Sequence, residues 1–398
     1  MSGDKREKVA SSTDAVRVGR PSERPHHALT LDIAQTATYT FENTASLERY
    51  MRGEDPNPDR EEYGRYSNPT VRELERQVAE LEQAEDAVAF SSGMAAITTA
   101  TLSLLKAGDH VVLFRDCYRR TRQLVTHTLA RFGVEHTLLL PGDLDALDKA
   151  IRPNTRLVMS ESPTNPLLYC VDLERLCGIA KEHGRVRTLV DSTFATPVNC
   201  RPLSFGVDLV MHSATKYLSG HNDVLGGVVA GPSHLVSLLR DARGVLGSVL
   251  DPHAAFLIAR GLKTLGLRID CQNKSALEIA KLLETHGKVE KVLYPGLPSH
   301  PSHKIATRQM RGFGGVVSFI VKGGRQAASN FVDRVKLPKI GASLGGVESL
   351  IEQPAIMSYF SLSDAELLEI GIDPALVRLS VGVEDTEDLT SDLAQALG

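Results

Sequence analysis

The chain has 398 residues and a formal net charge of −4, with 45 basic and 49 acidic side chains. Charges of both signs are interspersed along the sequence, which argues against nucleic acid and membrane surfaces as partners. The five cysteines form no CxxC pair and are odd in number, which argues against a secreted disulfide framework and favours a cytoplasmic protein.

A polar stretch opens the chain, since residues 1 to about 24 are rich in Lys, Arg, Asp and Ser and contain no apolar run. This composition argues against a secretory signal peptide and predicts a disordered leader. A transit peptide is the less favoured alternative, because Asp4, Glu7 and Asp14 are acids that such peptides avoid. Residues 36–62 lack clean periodicity and are predicted to form an extended arm, so leader and arm together occupy residues 1–67.

Short apolar runs alternate with longer helical patterns from residue 69 to about residue 235. Such alternation is typical of βαβ units and a mainly parallel sheet. We predict strands at residues 87–90, 111–114, 157–159, 188–190 and 209–212, and helices at residues 71–85 and 94–105. These elements define a large α/β domain over residues 68–261. Ligands of open α/β sheets bind at the carboxyl ends of the strands, so the residues after each strand are the candidates for chemistry.

A long helical pattern over residues 254–283 leaves the large domain, with Gly261 and Gly266 as its weak points. Strand-like runs follow at residues 315–321 and 377–383. Strands and helices are segregated here, which predicts a smaller α+β domain over residues 262–398. Two domains agree with the chain length, which exceeds what one core usually supports. No apolar stretch is long enough to span a bilayer.

A lysine follows the strand predicted at residues 209–212, in the sequence Ser213-Ala214-Thr215-Lys216. An amine that burial keeps unprotonated can form a Schiff base with an aldehyde cofactor. The hydroxyl groups of Ser213 and Thr215 could bind a phosphate beside it. Taken alone, the tetrapeptide is a weak signal, because an ordinary surface lysine after a strand is the more common case.

Asp191 and the segment Ser92-Gly93-Met94 each follow another predicted strand. A carboxylate at the position of Asp191 could keep a pyridine nitrogen protonated, although an aspartate there is also a common turn residue. The segment lies between a strand and a helix, where free N–H groups and the positive helix end can cradle a phosphate. Its alternative interpretation is a plain helix N-cap.

Tyr118 and Asn165 follow two further predicted strands. Tyr118 offers a flat ring for stacking on a planar cofactor, although a single tyrosine is also common in a core or at a rim. Asn165 lies in a loop stiffened by two prolines, which could hold its amide in the same crevice or could simply be a turn. Five strand ends therefore supply a phosphate cradle, a ring, an amide, a carboxylate and a lysine. This combination predicts a pyridoxal 5′-phosphate enzyme.

Several sequence stretches in order carry a more specific resemblance: EYGRYSNPT at residues 62–70, ESPTNP at 161–166, HSATKYL at 212–218, GHND at 220–223 and SLGGVE at 343–348. From about residue 36 to the end, the chain resembles the Cys/Met-metabolism family of pyridoxal phosphate enzymes, and within it the plant-type cystathionine γ-synthases. The resemblance implies fold type I, like aspartate aminotransferase, with a large domain built on a mainly parallel seven-stranded sheet and a smaller C-terminal α+β domain.

The resemblance also implies a role for each candidate in holding the cofactor. Lys216 would be the Schiff-base lysine and proton carrier, Asp191 the pyridinium partner and Tyr118 the stacking ring and a second proton carrier, with Asn165 also at the cofactor. The implied phosphate ligands are Ser92, Gly93, Met94, Ser213 and Thr215. Tyr63 and Arg65 would reach the phosphate of the neighbouring subunit, which implies an active dimer and a homotetramer built from two such dimers.

Substrate contacts follow from the same resemblance. Arg378 would clamp the α-carboxylate of an amino-acid substrate, a bidentate task that suits a guanidinium fork. Glu348 would read a distal amino group, with Ser343, Asn165 and Arg120 as further contacts. The three arginines at positions 119, 120 and 122 would suit a dianionic leaving group such as the phosphate of O-phosphohomoserine, or they are a solvated helix start.

The implied reaction is γ-replacement on an activated L-homoserine ester (O-phospho-, O-succinyl- or O-acetylhomoserine) with L-cysteine to give L-cystathionine, as in trans-sulfuration and methionine biosynthesis. A γ-lyase acting on cystathionine or methionine, a homoserine-ester sulfhydrylase and a specialised γ-substitution enzyme using another nucleophile share the same motifs. A scaffold protein without turnover is a further alternative, and the retained Lys216, Asp191 and Arg378 argue against it. Tyr359-Phe360 stands where many lyases carry a histidine and alters the rim of the pocket.

Overall fold

The computed structural model describes residues 9–19, 27–57 and 59–398. The predicted disordered leader lies partly outside these residues, but its described part contains a helix, Ser12–Arg17. Ser11 caps this helix through a reciprocal pair of hydrogen bonds with Asp14. Ala10 and Ala15 are fully buried, and the Ala10 N–H donates to the Pro197 carbonyl at 2.8 Å. The prediction of disorder was therefore wrong for residues 9–19, because two small apolar side chains find a packing partner.

The helices are numbered in chain order. They are α1 (Ser12–Arg17), α2 (Thr44–Met51), α3 (Pro69–Glu82), α4 (Gly93–Leu104), α5 (Arg119–Gln123), α6 (Leu144–Ala150), α7 (Leu173–Glu182), α8 (Thr196–Asn199), α9 (Ser233–Leu246), α10 (Pro252–Leu262), α11 (Leu265–Thr285), α12 (His303–Gln309), α13 (Gly324–Arg334), α14 (Pro354–Met357), α15 (Asp364–Glu369) and α16 (Thr386–Leu397). A π-helical stretch, Leu124–Leu129, continues α5, and a 3₁₀ turn covers Pro202–Phe205.

The strands are β1 (Asp86–Phe90), β2 (His110–Phe114), β3 (Glu135–Leu139), β4 (Thr155–Glu161), β5 (Arg187–Asp191), β6 (Leu209–His212), β7 (Gly227–Gly231), β8 (Val289–Leu293), β9 (Val316–Val321), β10 (Lys339–Ile340), β11 (Leu350–Glu352) and β12 (Leu376–Ser380). All seven strands that the apolar runs predict are present, with ends that differ by up to three residues.

Seven strands form the larger sheet, in the order β1-β7-β6-β5-β4-β2-β3. Only β7 runs against the others, so the sheet is mainly parallel, and the α/β fold class predicted from the sequence is confirmed. The individual patterns missed β3 and β7. The strand β3 has a polar, partly exposed pattern, while β7 begins and ends with glycine, which is depleted in strands.

Helix α3 is set by its first residues. Asn68 caps α3 and is followed by proline at the first helical position, a combination that favours helix initiation. Leu74 and Leu81 are fully buried, as the predicted helical spacing requires. The helix ends at Glu82 rather than at residue 85, because Gln83 takes a left-handed conformation with φ of 55°.

The second sheet has five strands in the order β10-β11-β12-β9-β8, antiparallel except for the β10–β11 pair. The helical pattern over residues 254–283 is two helices, α10 and α11, which part at Lys263 and Thr264, between the two predicted weak points. A Cβ atom on Gly261 would lie 2.2 Å from the Ser219 carbonyl oxygen, so only glycine allows this approach. A domain boundary at residues 261 and 262 remains our proposal.

The predicted extended arm is only partly extended. Its centre is the helix α2, which Asn43 caps by accepting from the Ser46 N–H at 2.9 Å. Thr38 and Tyr63 form an isolated antiparallel bridge that ties the two ends of the arm together. Among the residues described, no helix is long and apolar enough to cross a membrane.

Candidate active site

A cavity of about 440 Å³ opens at the carboxyl edge of the seven-stranded sheet. Most of the side chains predicted to act together line it. They are Ser92, Gly93, Met94, Tyr118, Arg120, Asn165, Asp191, Ser213, Thr215, Lys216, Ser343 and Arg378. Three predicted site residues do not line it, namely Tyr63, Arg65 and Glu348. The strand-end argument therefore located the cavity and most of its wall.

Lys216 lies partly buried in the cavity, and its Nζ donates to Ser343 Oγ at 2.7 Å. Burial, reinforced by the positive charge of Arg378, lowers the pKa of Lys216 to about 8. An amine with this pKa is unprotonated in a useful fraction of molecules near neutral pH. Lys216 can therefore act as a nucleophile or as a proton carrier.

The loop that carries Lys216 is fastened to the link between α10 and α11. The buried Arg268 on α11 donates to the Tyr217 carbonyl at 2.8 Å and to the Gly261 carbonyl at 2.8 Å. Because a guanidinium is planar and has several donors, it can hold two backbone segments at a fixed spacing. Arg268 thus positions the lysine loop, and no sequence signal had pointed to it.

Asp191 ends β5 at the floor of the cavity. Its Oδ1 accepts from the Thr193 N–H at 3.0 Å and from Thr193 Oγ1 at 2.5 Å. Burial raises the pKa of Asp191 despite these two bonds. A carboxylate in such a place gains from a cationic partner, and a protonated pyridine nitrogen would supply one.

The amino end of α4 forms one wall of the cavity. Ser92 caps the helix, accepting from the Ala95 N–H at 3.0 Å, while the N–H groups of Gly93 and Met94 have no partner within the helix. A Cβ atom on Gly93 would lie 2.9 Å from Ser213 Cβ, so the glycine keeps the cradle open. Thr215 Oγ1 is fixed by accepting from the Gly226 N–H at 3.0 Å. Free N–H groups, hydroxyls and a positive helix end together suit a phosphate group.

Tyr118 stands at the cavity wall with its ring 42% exposed. Its backbone N–H donates to Glu161 Oε2 at 2.7 Å. Glu161 ends β4 directly beside Asp191 on β5, and burial together with that negative neighbour raises its pKa well above the ordinary value. Sequence reasoning treated Glu161 only as part of a motif and missed this contact, although it also follows a predicted strand.

Arg378 lies on β12 and is 5% exposed. Its Nη1 donates to Asn165 Oδ1 at 2.8 Å, and its Nη2 donates to the Ser343 carbonyl at 2.9 Å. Nη2 also forms an ion pair with Glu352 Oε1 at 2.9 Å. Ser343 adopts a φ of 103°, a strained value for a residue with a side chain, and it contacts both Lys216 and Arg378.

Glu348, predicted to read a distal amino group, does not line the cavity. It is exposed outside the cavity, where its Oε2 accepts from Asn222 Nδ2 at 2.8 Å. The carboxylate of this segment that does line the cavity is Glu352, four residues later. Sequence reasoning missed Glu352, whose signal is a charge at the end of an apolar strand, directly opposite Arg378 in the sheet register.

The three arginines after Tyr118 separate into two groups. Arg119 and Arg120 line the cavity. Arg122 turns away from it and donates to the Arg115 carbonyl at 2.6 Å. Two of the three arginines therefore border the cavity, and Arg120 Nη1 also donates to Gln123 Oε1 at 2.7 Å.

Tyr63 and Arg65 lie together on the surface near α9. Arg65 Nη1 donates to the Gly244 carbonyl at 2.6 Å, and the guanidinium lies 4.7 Å from the centre of the Tyr66 ring. The Tyr63 side chain is 42% exposed. Neither residue lines the cavity of its own chain.

The fold and the cavity together define an α/β enzyme built around a lysine at the ends of parallel strands. The chain belongs to the Cys/Met metabolism PLP-dependent enzyme family, whose family model matches residues 12–398. The family depends on pyridoxal phosphate, and the chemistry of the cavity wall fits that cofactor.

Relatives extend over nearly the whole chain. The chain is 47% identical over 371 residues to cystathionine gamma-synthase 1, chloroplastic, of Nicotiana tabacum, covering 93% of this chain and 68% of the tobacco protein. It is also 47% identical over 337 residues to the cystathionine gamma-lyase of Bacillus subtilis strain 168, covering 84% of this chain and 88% of that protein. The crystal structure of metB from Corynebacterium glutamicum covers 99% of both chains at 37% identity, with a TM-score of 0.91.

These relatives carry different reaction names, one a synthase and one a lyase. Family membership therefore supports pyridoxal-phosphate-dependent elimination or replacement in sulfur amino-acid metabolism. The particular reaction is a separate question. The chain also spans only about two thirds of the length of the tobacco protein.

Proposed function

We propose that this protein catalyses γ-replacement on an activated L-homoserine ester with L-cysteine, forming L-cystathionine. The observation that carries the proposal is the position of Arg119 and Arg120 on the wall of the cavity that holds Lys216. Two cationic groups at that place suit an anionic γ-substituent leaving the substrate, and a phosphate ester suits them best. The identity to the tobacco cystathionine gamma-synthase over 93% of the chain supports the same conclusion.

Cofactor binding is assigned to the residues that the cavity brings together. Lys216 would hold the aldehyde carbon of pyridoxal phosphate through its Nζ, Asp191 would accept the hydrogen bond of the pyridine nitrogen, and Tyr118 would cover one face of the ring, with the Asn165 amide beside it. The phosphate would lie against α4 and the two hydroxyls of the lysine loop, Ser213 and Thr215. Bound pyridoxal phosphate supplies an electron-withdrawing ring that stabilises negative charge at the substrate Cα.

The protein contributes proton transfer and orientation. The Lys216 amine would remove the Cα proton and deliver it elsewhere on the substrate, a task for which a pKa of about 8 is well matched to neutral pH. Arg378, held by Asn165 and by the Ser343 carbonyl, would orient the α-carboxylate. Arg120, beside Arg119, would stabilise the departing anion. Tyr118 would assist as a second proton carrier.

The working assembly that we propose is a dimer, two of which form a homotetramer. Its support is the placement of Tyr63 and Arg65 on the surface, away from the cavity of their own chain. Each pair would complete the phosphate site of the neighbouring subunit. We further propose a cytoplasmic location and small amino-acid substrates, in keeping with the charge balance and the free cysteines.

The reaction can be tested directly by offering purified protein O-phospho-, O-succinyl- and O-acetylhomoserine, each with and without cysteine. We expect cystathionine in the mixtures with cysteine, formed fastest from the phosphate ester, with mass spectrometry as the measurement. Lys216→Ala is the matched control and should lose both the product and the visible absorbance of bound cofactor. A keto acid without thioether in every mixture would overturn γ-replacement.

Elimination is the second candidate, and the identity to a Bacillus subtilis cystathionine gamma-lyase favours it. The same cavity could release the γ-substituent of cystathionine or methionine without adding a nucleophile. Incubating the protein with cystathionine alone separates the two reactions, because only a lyase would convert it to cysteine and a keto acid at a rate comparable with synthesis. Replacement with sulfide, or with a nucleophile other than cysteine, would appear as a thioether or thiol of different mass.

A further inference from the structure

Arg378, the proposed binding site of the substrate α-carboxylate, is already paired with a carboxylate of the protein itself. Glu352 Oε1 lies 2.9 Å from Arg378 Nη2, and the side chains of both residues are almost completely buried, at 4% and 6% exposure. The two residues are directly opposite each other on β11 and β12, so the sheet itself maintains the pair. Neither residue is in a mobile surface position where the contact could be incidental.

An incoming carboxylate would compete for the nitrogen that Glu352 contacts. A guanidinium offers a carboxylate two forks, one made by Nε with Nη2 and one made by Nη1 with Nη2. Both forks include Nη2, and Nη1 already donates to Asn165. Nε has no hydrogen-bond partner among the described residues, so the fork with Nε is the available one.

We propose that Glu352 competes with the substrate carboxylate for Arg378 and so weakens carboxylate binding at this subsite. The inference rests on the proposed function, in which Arg378 binds the α-carboxylate. Two anions at one buried guanidinium repel each other, so the negative charge of Glu352 opposes the arrival of a second carboxylate.

Glu352 and Arg378 also act in opposite directions on Lys216. Arg378 lowers the pKa of the lysine, and Glu352 raises it. The other charged groups in the cavity wall are Arg119 and Arg120 beyond Tyr118, with Asp191 and Glu161 at the floor.

The experiment measures binding of hexanoate to the pyridoxal-phosphate-loaded enzyme by isothermal titration calorimetry. Hexanoate has a carboxylate but neither an amine nor a leaving group, so the enzyme cannot convert it, and the Arg378→Lys variant shows how much of its binding depends on Arg378. We expect Glu352→Gln to bind hexanoate at least about tenfold more tightly than the wild type, because a neutral amide of the same shape no longer competes. Glu352→Asp keeps the negative charge and should bind hexanoate with an affinity within about threefold of the wild type.

Three controls distinguish an effect of charge from an effect of shape. They also distinguish competition by Glu352 from the carboxylate subsite at Arg378. Hexanamide, the uncharged probe, should bind Glu352→Gln and wild type equally. Glu348→Gln, the same change outside the cavity, should bind hexanoate like the wild type. If Arg378→Lys loses hexanoate while Glu352→Gln binds no more tightly, competition by Glu352 is wrong and the carboxylate subsite stands. If Arg378→Lys binds hexanoate unchanged, the carboxylate subsite itself is wrong, and the inference is overturned with it.

Discussion

Glu161 and Asp191 place two carboxylates side by side at the ends of adjacent strands, where burial raises the pKa of each. A carboxyl whose pKa is higher in the folded than in the unfolded chain contributes stability that is fully present below its unfolded pKa. That contribution is lost as the pH rises from there through the folded pKa, so the two buried carboxyls cost stability at neutral pH relative to acid pH. A cationic cofactor nitrogen beside Asp191 would relieve part of this cost.

Glu161→Gln should therefore stabilise the cofactor-free protein at pH 8. The amide can still accept from the Tyr118 N–H, and the variant lacks the carboxyl whose raised pKa costs stability at this pH. We expect the midpoint of thermal unfolding to rise by about 2–4 °C. The difference should shrink towards pH 5, as the wild-type carboxyl becomes protonated. Calorimetric scans at both pH values test this, and a variant less stable than wild type at pH 8 would contradict it.

Single residues differ in how far the sequence can locate them. Lys216, Asp191, Tyr118 and Asn165 were predictable because parallel strands bring their carboxyl ends to one edge. Glu352 was not, because its role depends on the register between β11 and β12, which is set by strand pairing over a separation of 26 residues between Glu352 and Arg378. Glu348 was assigned from a motif alone, and the motif carried no information about which way its side chain points.

At the scale of elements, helix α4 has an amino end shaped for an anion. Its first residue is a glycine whose missing side chain leaves room between the helix and Ser213. The positive end of the helix and its unpaired N–H groups depend on that opening. The helix therefore contributes to cofactor binding through its backbone more than through its side chains.

Gly93→Ala should reduce the affinity for pyridoxal phosphate by at least about tenfold while leaving the helix content intact, because the added methyl group meets Ser213 at 2.9 Å. Gly178→Ala in α7 is the matched control, since a Cβ atom there would meet nothing within 4 Å. That control should bind the cofactor like wild type and be slightly more stable. Equilibrium titration of cofactor absorbance, with circular dichroism for folding, is the measurement. Equal affinities in the two variants would show that the opening at Gly93 is not required.

Regular elements were predicted best where their pattern was strong. The buried strands of the large sheet and the capped helices α3 and α4 were found because periodicity and capping residues agree. The missed elements are of another kind. Strand β3 is polar, β7 is bounded by glycine, and α1 is a short helix stabilised by packing that local sequence does not reveal.

At the scale of the whole molecule, the proposed shared site predicts complementation between inactive variants. Arg65→Ala would damage the neighbour's phosphate site, and Lys216→Ala would damage the chain's own site. Mixing the two variants under conditions that exchange subunits should restore about a quarter of wild-type activity, because half of the dimers are hybrids and each hybrid has one intact site. Activity after exchange is the measurement, with each variant alone as the control. No recovery despite proven exchange would contradict a site built from two chains.

Arg268 couples the lysine loop to the link between helices α10 and α11. It donates to the Tyr217 carbonyl, next to Lys216, and to the Gly261 carbonyl near the end of α10. Gly261 also lies directly against the Ser219 carbonyl. If the chain bends at this link, the backbone that carries Lys216 would move with it. Any movement of the C-terminal sheet towards a bound amino acid would therefore also change the direction in which the Lys216 side chain points.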